Sequence, residues 1–199
     1  KQELSSAYHQ FTTKTDTEVI LAAYQQWGAA CLHHFNGMFA FAIYDTVEKT
    51  LFIARDRFGI KPFFYYMTDD MFIFASDIPA ILAVLPISVE PDNQSIYDFL
   101  VFNRTNHTER TFFKHIKKLQ HAHSITIKDS NVRIQRWYDV AQQVAEPFQT
   151  PDELRASLCS SIQLRLRSDV PVGACLSGGL DSSSIVSLIL KQTDTFDLH

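Results

Sequence analysis

The 199-residue chain carries 18 lysines and arginines against 22 aspartates and glutamates, so its formal net charge is −4 and its isoelectric point about 6.0. Nucleic-acid binding requires an excess of basic residues, and we therefore expect no nucleic acid partner. Hydrophobic residues make up 46% of the chain, enough for a packed core, but no apolar run approaches the ~18 residues of a membrane span. A globular protein without a membrane partner is predicted.

The three cysteines are an odd number without C-x-x-C spacing, which fits a reducing compartment and a cytoplasmic protein. We predict that Cys31, Cys159 and Cys175 are buried thiols. The chain starts at Lys1 without an initiator Met, and only residues 184–199 follow the last motif described below. We expect it to be part of a larger protein whose C-terminal portion is missing.

The first predicted elements are helical. Thr15 and Glu18 have the spacing of a capping box before an apolar run, which predicts a helix over residues 16–28. A second, short helix is predicted over residues 29–34.

Runs rich in Phe, Ile and Tyr predict strands from residue 39 onwards. The polar separators between consecutive runs are short enough for hairpins, which favours antiparallel sheet over βαβ units. The continuous apolar character of the runs predicts burial on both faces. The predicted strands cover residues 39–44, 51–54, 63–67, 72–75, 124–127 and 132–137, with turns at 46–49, 68–70 and 128–131 and one helix at 94–102.

A domain boundary is predicted where periodicity is lost, over residues 139–149, which include Pro147. A second capping box at residues 150–153 predicts a helix that leads into an apolar strand at 170–176. The predicted divisions are a domain over residues 1–140, a linker over 141–149 and the start of a second domain over 150–199.

The apolar strand runs into a turn rich in glycine and serine, which is how chains build a phosphate cradle. Gly178 and Gly179 are expected to adopt unusual dihedral angles and to bring amide groups close to an anion. No lysine follows them, unlike in a Walker A loop, so Asp181 is expected to hold Mg²⁺ against the phosphates. The alternatives are an ordinary Gly-Gly turn, and Asp181 as the cap of a helix that begins at Ser182.

The run Ser-Gly-Gly-Leu-Asp-Ser-Ser at residues 177–183 resembles the pyrophosphate loop of the N-type ATP pyrophosphatases, the asparagine synthetase family in particular. The resemblance implies the start of a Rossmann-like α/β domain that uses ATP and Mg²⁺. In that family a carboxylate attacks the α-phosphorus of ATP, and ammonia then displaces AMP from the acyl-adenylate. The implied residues for ATP and pyrophosphate are Leu176, Ser177, Gly178, Gly179, Asp181, Ser182 and Ser183, with Asp181 also the metal ligand.

Residues 35–45, 55–62 and 74–77 are similar to the glutaminase domain of class II amidotransferases. This resemblance implies an α+β fold of the N-terminal-nucleophile type, in which two antiparallel sheets lie between helical layers. It also implies that Asp16 holds the α-amino group of glutamine. The alternative for Asp16 is an acid at a helix start that interacts only with the macrodipole.

The nucleophile of that family is a cysteine at the mature N-terminus, whereas this chain starts with Lys1. No catalytic residue is therefore assigned, and the fragment alone is expected to be inactive. Cys31 lies in a helical stretch and is not expected to replace the missing nucleophile. Asn36 and Gly37 are expected to form a turn rather than an oxyanion element.

Other polar clusters receive structural interpretations. The segment from Arg55 to Lys61 is predicted to be a loop with paired charges rather than a phosphate site. The His33–His34 and His121–His123 pairs are weak metal signals, because neither has further ligands in its pattern. The family usually shows Pro-Pro-Gly-His at residues 120–123, and only His123 matches.

The two resemblances cover the chain from about residue 11 and predict part of a glutamine-using asparagine synthetase that amidates the side-chain carboxylate of aspartate. One alternative is a related ligase that amidates or cyclises another carboxylate. A second is a scaffold that retains the fold without the chemistry. The implied partners are glutamine and aspartate or another carboxylate, and a homodimer is compatible with the resemblance.

Overall fold

A computed structural model of the chain describes residue 4 and residues 10–85, 88–143, 146–168 and 170–192. The chain divides into two compact units, residues 1–143 and 144–199, which are described separately. Across these described ranges, no helix combines the length and apolar character needed to cross a membrane.

The first unit contains two antiparallel sheets. The elements are α1 (Asp16–Trp27), a 3₁₀ helix (Gly28–His34), β1 (Ala40–Asp45), β2 (Thr50–Arg55), β3 (Phe64–Met67), β4 (Phe72–Ala75), α2 (Ile78–Val84), α3 (Asn93–Phe102), β5 (Ile116–Lys118), β6 (His123–Lys128), β7 (Asn131–Arg136) and a 3₁₀ turn (Val140–Gln143). Strands β1, β2, β6 and β7 form one sheet in that order, and β4, β3 and β5 form the other.

Strand β2 is buried on both faces because its side chains alternate between two cores. Phe52 and Ala54 pack with Cys31 beneath the helical layer of α1 and the 3₁₀ helix. Ile53 packs with Ile125 in the core between the two sheets. A third core joins the outer face of β3 and β5 to α2. These layers confirm the predicted arrangement of two antiparallel sheets between helices.

All six predicted strands and the helices of this unit are present within one or two residues. The prediction missed strand β5, helix α2 and the 3₁₀ turn at Val140–Gln143, which overlaps the predicted linker. Strand β5 has only three residues, two of them lysines, and so lacks an apolar pattern. Helix α2 has only seven residues and carries Pro79 in its first turn. The Asp77 carboxylate caps the helix by accepting a hydrogen bond of 3.2 Å from the Ala80 amide.

The capping box predicted for α1 is wrong in detail. Thr15 is the N-cap residue, but its side chain forms no capping hydrogen bond. The Glu18 carboxylate instead accepts from the amides of Thr12 and Thr13 at 2.8 and 2.7 Å and from both hydroxyls. Glu18 thus holds the segment that precedes the helix and does not bond to the N-cap residue Thr15.

The second unit contains α4 (Pro151–Arg165) and α5 (Leu180–Gln192). At the start of α4, the Thr150 hydroxyl accepts from the Glu153 amide at 3.3 Å, as the capping box predicts. The Glu153 carboxylate reaches one residue further back and accepts from the Gln149 amide at 2.8 Å.

The strand predicted over residues 170–176 is wrong. The segment belongs to no sheet, and all of its residues are exposed. An apolar run becomes a strand only where a neighbouring strand accepts and donates its backbone hydrogen bonds, and the described part of this unit contains no other strand. The Rossmann-like domain therefore stays a prediction.

Candidate functional site

The predicted phosphate loop, residues 176–183, is an exposed turn that leads into α5. Ser182 organises it. Its hydroxyl donates to the Gly179 carbonyl at 3.2 Å, accepts from the Ser177 amide at 3.3 Å and lies 3.0 Å from the Ser177 hydroxyl. The structure therefore brings the two serines together across the turn.

The two glycines of the loop have different roles. Gly178 has a φ of 79°, in the left-handed region that favours glycine. Gly179 does not have a positive φ, and a Cβ atom there would meet only the Ser177 hydroxyl oxygen, at 3.6 Å. The prediction of an unusual dihedral is thus wrong for Gly179, and the described residues leave room for a Cβ atom there.

Helix α5 begins at Leu180, two residues earlier than the capping alternative assumed. Its first backbone bond joins the Ser183 amide to the Gly179 carbonyl at 3.1 Å, so the amides before Ser183 lack an acceptor within the helix. Asp181 is the second residue of the helix and is exposed, so it is not the cap. The unpaired amides at the start of α5 suit an anion, and the Asp181 carboxylate suits a cation bound to that anion.

Asp181 is the one carboxylate of the loop. The described residues contain no cluster of three His, Cys, Asp or Glu side chains that could hold a metal ion. Mg²⁺ is commonly bound by one or two carboxylates together with phosphate oxygens and water. Asp181 with the phosphates of ATP therefore fits that donor set, while a fully protein-bound metal does not.

Asp16 is the first residue of α1, and its side chain is exposed. Glu18 supplies the hydrogen bonds that hold the chain before the helix, which leaves the Asp16 carboxylate without a partner among the described residues. Hydrogen bonds from Thr12 and Thr13 lower the pKa of Glu18 to about 2. Asp16 is therefore an exposed acid that the described residues leave unpaired.

The cysteines differ in exposure. Cys31 is completely buried, and burial raises the pKa of its thiol to about 11, which makes it a poor nucleophile. Cys159 is half-buried, and Cys175 is exposed beside the phosphate loop. The prediction of buried thiols is thus right for Cys31 and wrong for Cys175, because the segment that carries Cys175 does not join a sheet.

The segment from Arg55 to Lys61 is a structural loop, but its charges bind backbone groups rather than each other. Asp56, only 1% exposed, accepts from the amides of Phe39 and Lys61 at one oxygen (3.2 and 3.0 Å) and from two loop amides at the other (3.0 and 3.1 Å). Arg55 and Arg57 donate to main-chain carbonyls. The sequence shows the charged triplet but not which groups it bonds.

The remaining polar candidates lie in ordinary structural positions. His34 stacks on Trp27 with ring centroids 3.9 Å apart, and His33 contacts the edge of Trp137. The His123 ring nitrogen Nδ1 lies 2.8 Å from the His121 carbonyl oxygen. Gly37 forms a bend just before β1.

Comparison with known proteins gives two family matches. A model described as a glutamine amidotransferase domain matches residues 1–138, and one described as asparagine synthase matches residues 153–198. The chain is 37% identical over 190 residues to glutamine-hydrolysing asparagine synthetase 3 of Bacillus subtilis, covering 94% of this chain and 31% of that protein. It thus spans about a third of the length of this relative.

Two further relatives match nearly the whole of this chain. A putative glutamine-hydrolysing asparagine synthetase of Methanocaldococcus jannaschii is 37% identical over 195 residues, covering 94% of this chain and 37% of that protein. A protein named amidase chry2, of Gibberella zeae, is 30% identical over 204 residues, covering 96% of this chain and 29% of that protein.

The first unit has the layered antiparallel sheets that the resemblance implied, and the family match covers all of its strands. The second match begins in α4 and includes the whole phosphate loop. The chain therefore belongs to the glutamine amidotransferase domain family over residues 1–138, and an asparagine synthase segment follows it.

Proposed function

We propose that this chain is part of a glutamine-using asparagine synthetase that amidates the side-chain carboxylate of aspartate at the expense of ATP, with AMP and pyrophosphate as products. The first unit binds glutamine, from which ammonia is released, and the second unit binds ATP. The observation that carries this proposal is the turn at Gly178, which brings Ser177 next to Ser182 in the first turn of α5, at an exposed helix N-terminus.

In the second unit, the amides at the start of α5 would bind phosphate oxygens of ATP. The hydroxyls of Ser177 and Ser182, which are hydrogen-bonded within the loop, would exchange those bonds for phosphate oxygens. Leu176, Gly179 and Ser183 complete the exposed loop around them. Asp181 would hold Mg²⁺, which neutralises the charge on the departing pyrophosphate. Without a cation, an acid at this position would repel the phosphates.

In the first unit, the Asp16 carboxylate would accept a hydrogen bond from the α-ammonium group of glutamine. An exposed acid without a hydrogen bond to the described residues suits this role, since a charge-assisted bond contributes ~1.5–3 kcal/mol. Cys31 is not proposed as the nucleophile, because its buried thiol has a pKa of about 11.

A related ligase that acts on another carboxylate is the second candidate. This candidate is supported by the relative named an amidase, which is 30% identical across 96% of this chain and is not named an asparagine synthetase. The described residues include the ATP loop but no group that we assign to the acceptor carboxylate. Identifying the carboxylate that the gene product amidates would distinguish the two candidates.

The experiment measures pyrophosphate and amide formation by the gene product that contains these residues, with ATP, Mg²⁺ and aspartate. The nitrogen source is either glutamine or ammonia. Asp181→Asn should reduce pyrophosphate formation with both sources, and Asp16→Asn should reduce only the glutamine reaction. Asp152→Asn is the matched control, because Asp152 is also an exposed second residue of a helix.

Equal losses in the Asp181→Asn and Asp152→Asn variants would contradict the metal role. Absence of pyrophosphate formation from aspartate and from other carboxylates would favour the scaffold alternative. The proposal also includes a cytoplasmic location, which the three free thiols fit, and a homodimer, which sedimentation analysis would test.

A further inference from the structure

A cavity with apolar and basic walls lies in the first unit, and its lining includes neither Asp16 nor any residue of the phosphate loop. Phe64, Ile78 and Phe112 are among its apolar lining residues. It has a volume of about 240 Å³ and is enclosed by the loop that follows α3, together with parts of β2, β3 and β5. Five basic side chains line it, whereas the protein as a whole has a net charge of −4. These residues, called the cationic pocket, are Arg55, Arg104, His107, Arg110 and Lys118.

Two of the five already have acidic partners. Arg110 donates through Nε and Nη2 to the two Asp92 oxygens at 3.0 and 2.8 Å. His107 Nε2 lies 2.9 Å from Asp98 Oδ2. For Arg55, Arg104 and Lys118, the described part of the chain places no carboxylate within ion-pair distance.

Lys118 is the most informative of these three. It is only 9% exposed, and its ammonium group donates to the Thr105 carbonyl and, at 3.1 Å, to Asn106 Oδ1. An ammonium group has three donors, so one remains after these two bonds. Burial and the nearby Arg55 charge both lower the pKa of Lys118. A buried cation beside a second cation is unfavourable unless an anion joins them.

Arg55 cannot swing away to relieve this repulsion. Its guanidinium donates to the carbonyls of Lys61, at 2.7 Å, Gly59, at 2.6 Å, and Leu119. Three of its five N–H donors are used in this way, and two remain. Arg104 is exposed, with its guanidinium 5.6 Å from the Phe102 ring centroid, so it can turn towards a ligand.

We propose that the cationic pocket is a binding site for a small oxyanion with more than one negative charge, such as a phosphate group or a dicarboxylate. The ligand would accept hydrogen bonds from the remaining Lys118 donor and from Arg104. The fixed positive charge of Arg55, which lines the same cavity, would add electrostatic attraction. The pocket volume suits a small molecule, and the limited number of free cations excludes a long polyanion. This site does not depend on the proposed amide synthesis.

Isothermal titration of the full chain with inorganic phosphate, and separately with malonate, tests the proposal at low ionic strength. Lys118→Met keeps the length of the side chain and removes its charge, and Arg104→Gln removes the exposed charge. Each should weaken binding about tenfold or more, because a charge-assisted bond is lost. The control Arg133→Gln removes an exposed charge on β7 and should leave the affinity within about twofold.

The phosphate loop is a competing site for the same probe, so Gly178→Ala is included. Loss of phosphate binding in Gly178→Ala alone would overturn the proposal, as would equal weakening by Arg133→Gln. Absence of heat with both anions in the wild type would also overturn it. Circular dichroism confirms folding of Lys118→Met, and Arg104→Gln provides an independent result if that variant does not fold. Preference for phosphate over malonate, or the reverse, identifies the class of oxyanion.

Discussion

The amide of Ala122 donates a hydrogen bond of 2.8 Å to the carbonyl oxygen of Asp56, and the Ala122 carbonyl accepts one of 2.8 Å from the amide of Trp137. Ala122 is completely buried and has a φ of 57°. These bonds hold Ala122 in a left-handed conformation. A glycine, as in the pattern that this segment resembles, would adopt that conformation without strain.

Ala122→Gly should relieve the left-handed strain, which is ~1–2 kcal/mol for an ordinary residue. The variant also loses a buried methyl group and gains entropy in the unfolded chain. Ala54→Gly is the matched control, since Ala54 is equally buried in β2 but has no positive φ. We expect Ala122→Gly to be ~1–2 kcal/mol less destabilising than the control. Urea unfolding monitored by tryptophan fluorescence measures both, and equal losses would contradict the strain argument.

Asp56→Asn should destabilise the first unit strongly. Each carboxylate oxygen accepts from two backbone amides, so an asparagine amide group would face two N–H donors in either orientation. Two buried donors left unpaired cost ~1–3 kcal/mol each. Asp77→Asn is the control, because it makes the same change at a helix N-cap, where aspartate and asparagine stabilise the helix almost equally. A small effect of Asp56→Asn, similar to that control, would show that the four bonds are not stabilising.

The sequence predicted the sheets well because strands β1–β4, β6 and β7 combine apolar runs with short polar turns. It failed where the result depends on partners distant in the chain. The bonds between Asp56 and Phe39, and the clustering of Lys118 with Arg55, follow from the packing of separate strands. The phosphate loop was recognisable from its residues, but only the structure distinguishes Gly178 from Gly179.

Glu18 should make stability depend on pH. Its pKa is lowered from 4.5 to about 2 by hydrogen bonds from Thr12 and Thr13. A carboxyl with a depressed folded-state pKa stabilises fully above its unfolded value, near 4.5, and loses this effect as the pH falls to about 2. The difference in unfolding midpoint between wild type and Glu18→Gln should therefore be constant near neutral pH and shrink in acid. A constant difference down to about pH 2 would contradict this assignment.

The thiols of Cys31 and Cys175 should react at different rates. Cys31 is buried and its thiol has a pKa of about 11, whereas Cys175 is exposed. The thiolate is the reactive form, so iodoacetamide at about pH 8 should modify Cys175 first and leave Cys31 intact until the first unit unfolds. Peptide mass spectrometry in buffer and in urea measures this order. Rapid labelling of Cys31 in the folded protein would show that the α1 layer opens readily.

The two phosphate-loop glycines should act differently, Gly178 through its backbone conformation and Gly179 through close approach of the ligand. Gly178→Ala places a Cβ atom on a residue with a φ of 79°, which costs ~1–2 kcal/mol of strain or changes the turn that joins Ser177 to Ser182. ATP binding should then weaken even though no ligand contact was removed. Gly173→Ala is the control, because Gly173 has an ordinary φ and open space around its Cβ position.

Gly179→Val tests direct approach of the phosphates. A Cβ atom at Gly179 meets only the Ser177 hydroxyl oxygen at an ordinary 3.6 Å, so the free loop should tolerate a side chain there. Bound phosphate would not, because the branched side chain would crowd the path to the backbone amides. We therefore expect unchanged circular dichroism and thermal stability but weaker ATP binding by calorimetry in the presence of Mg²⁺. Undiminished ATP binding by Gly179→Val would favour the ordinary Gly-Gly turn, because phosphates that pass Gly179 closely cannot coexist with a valine.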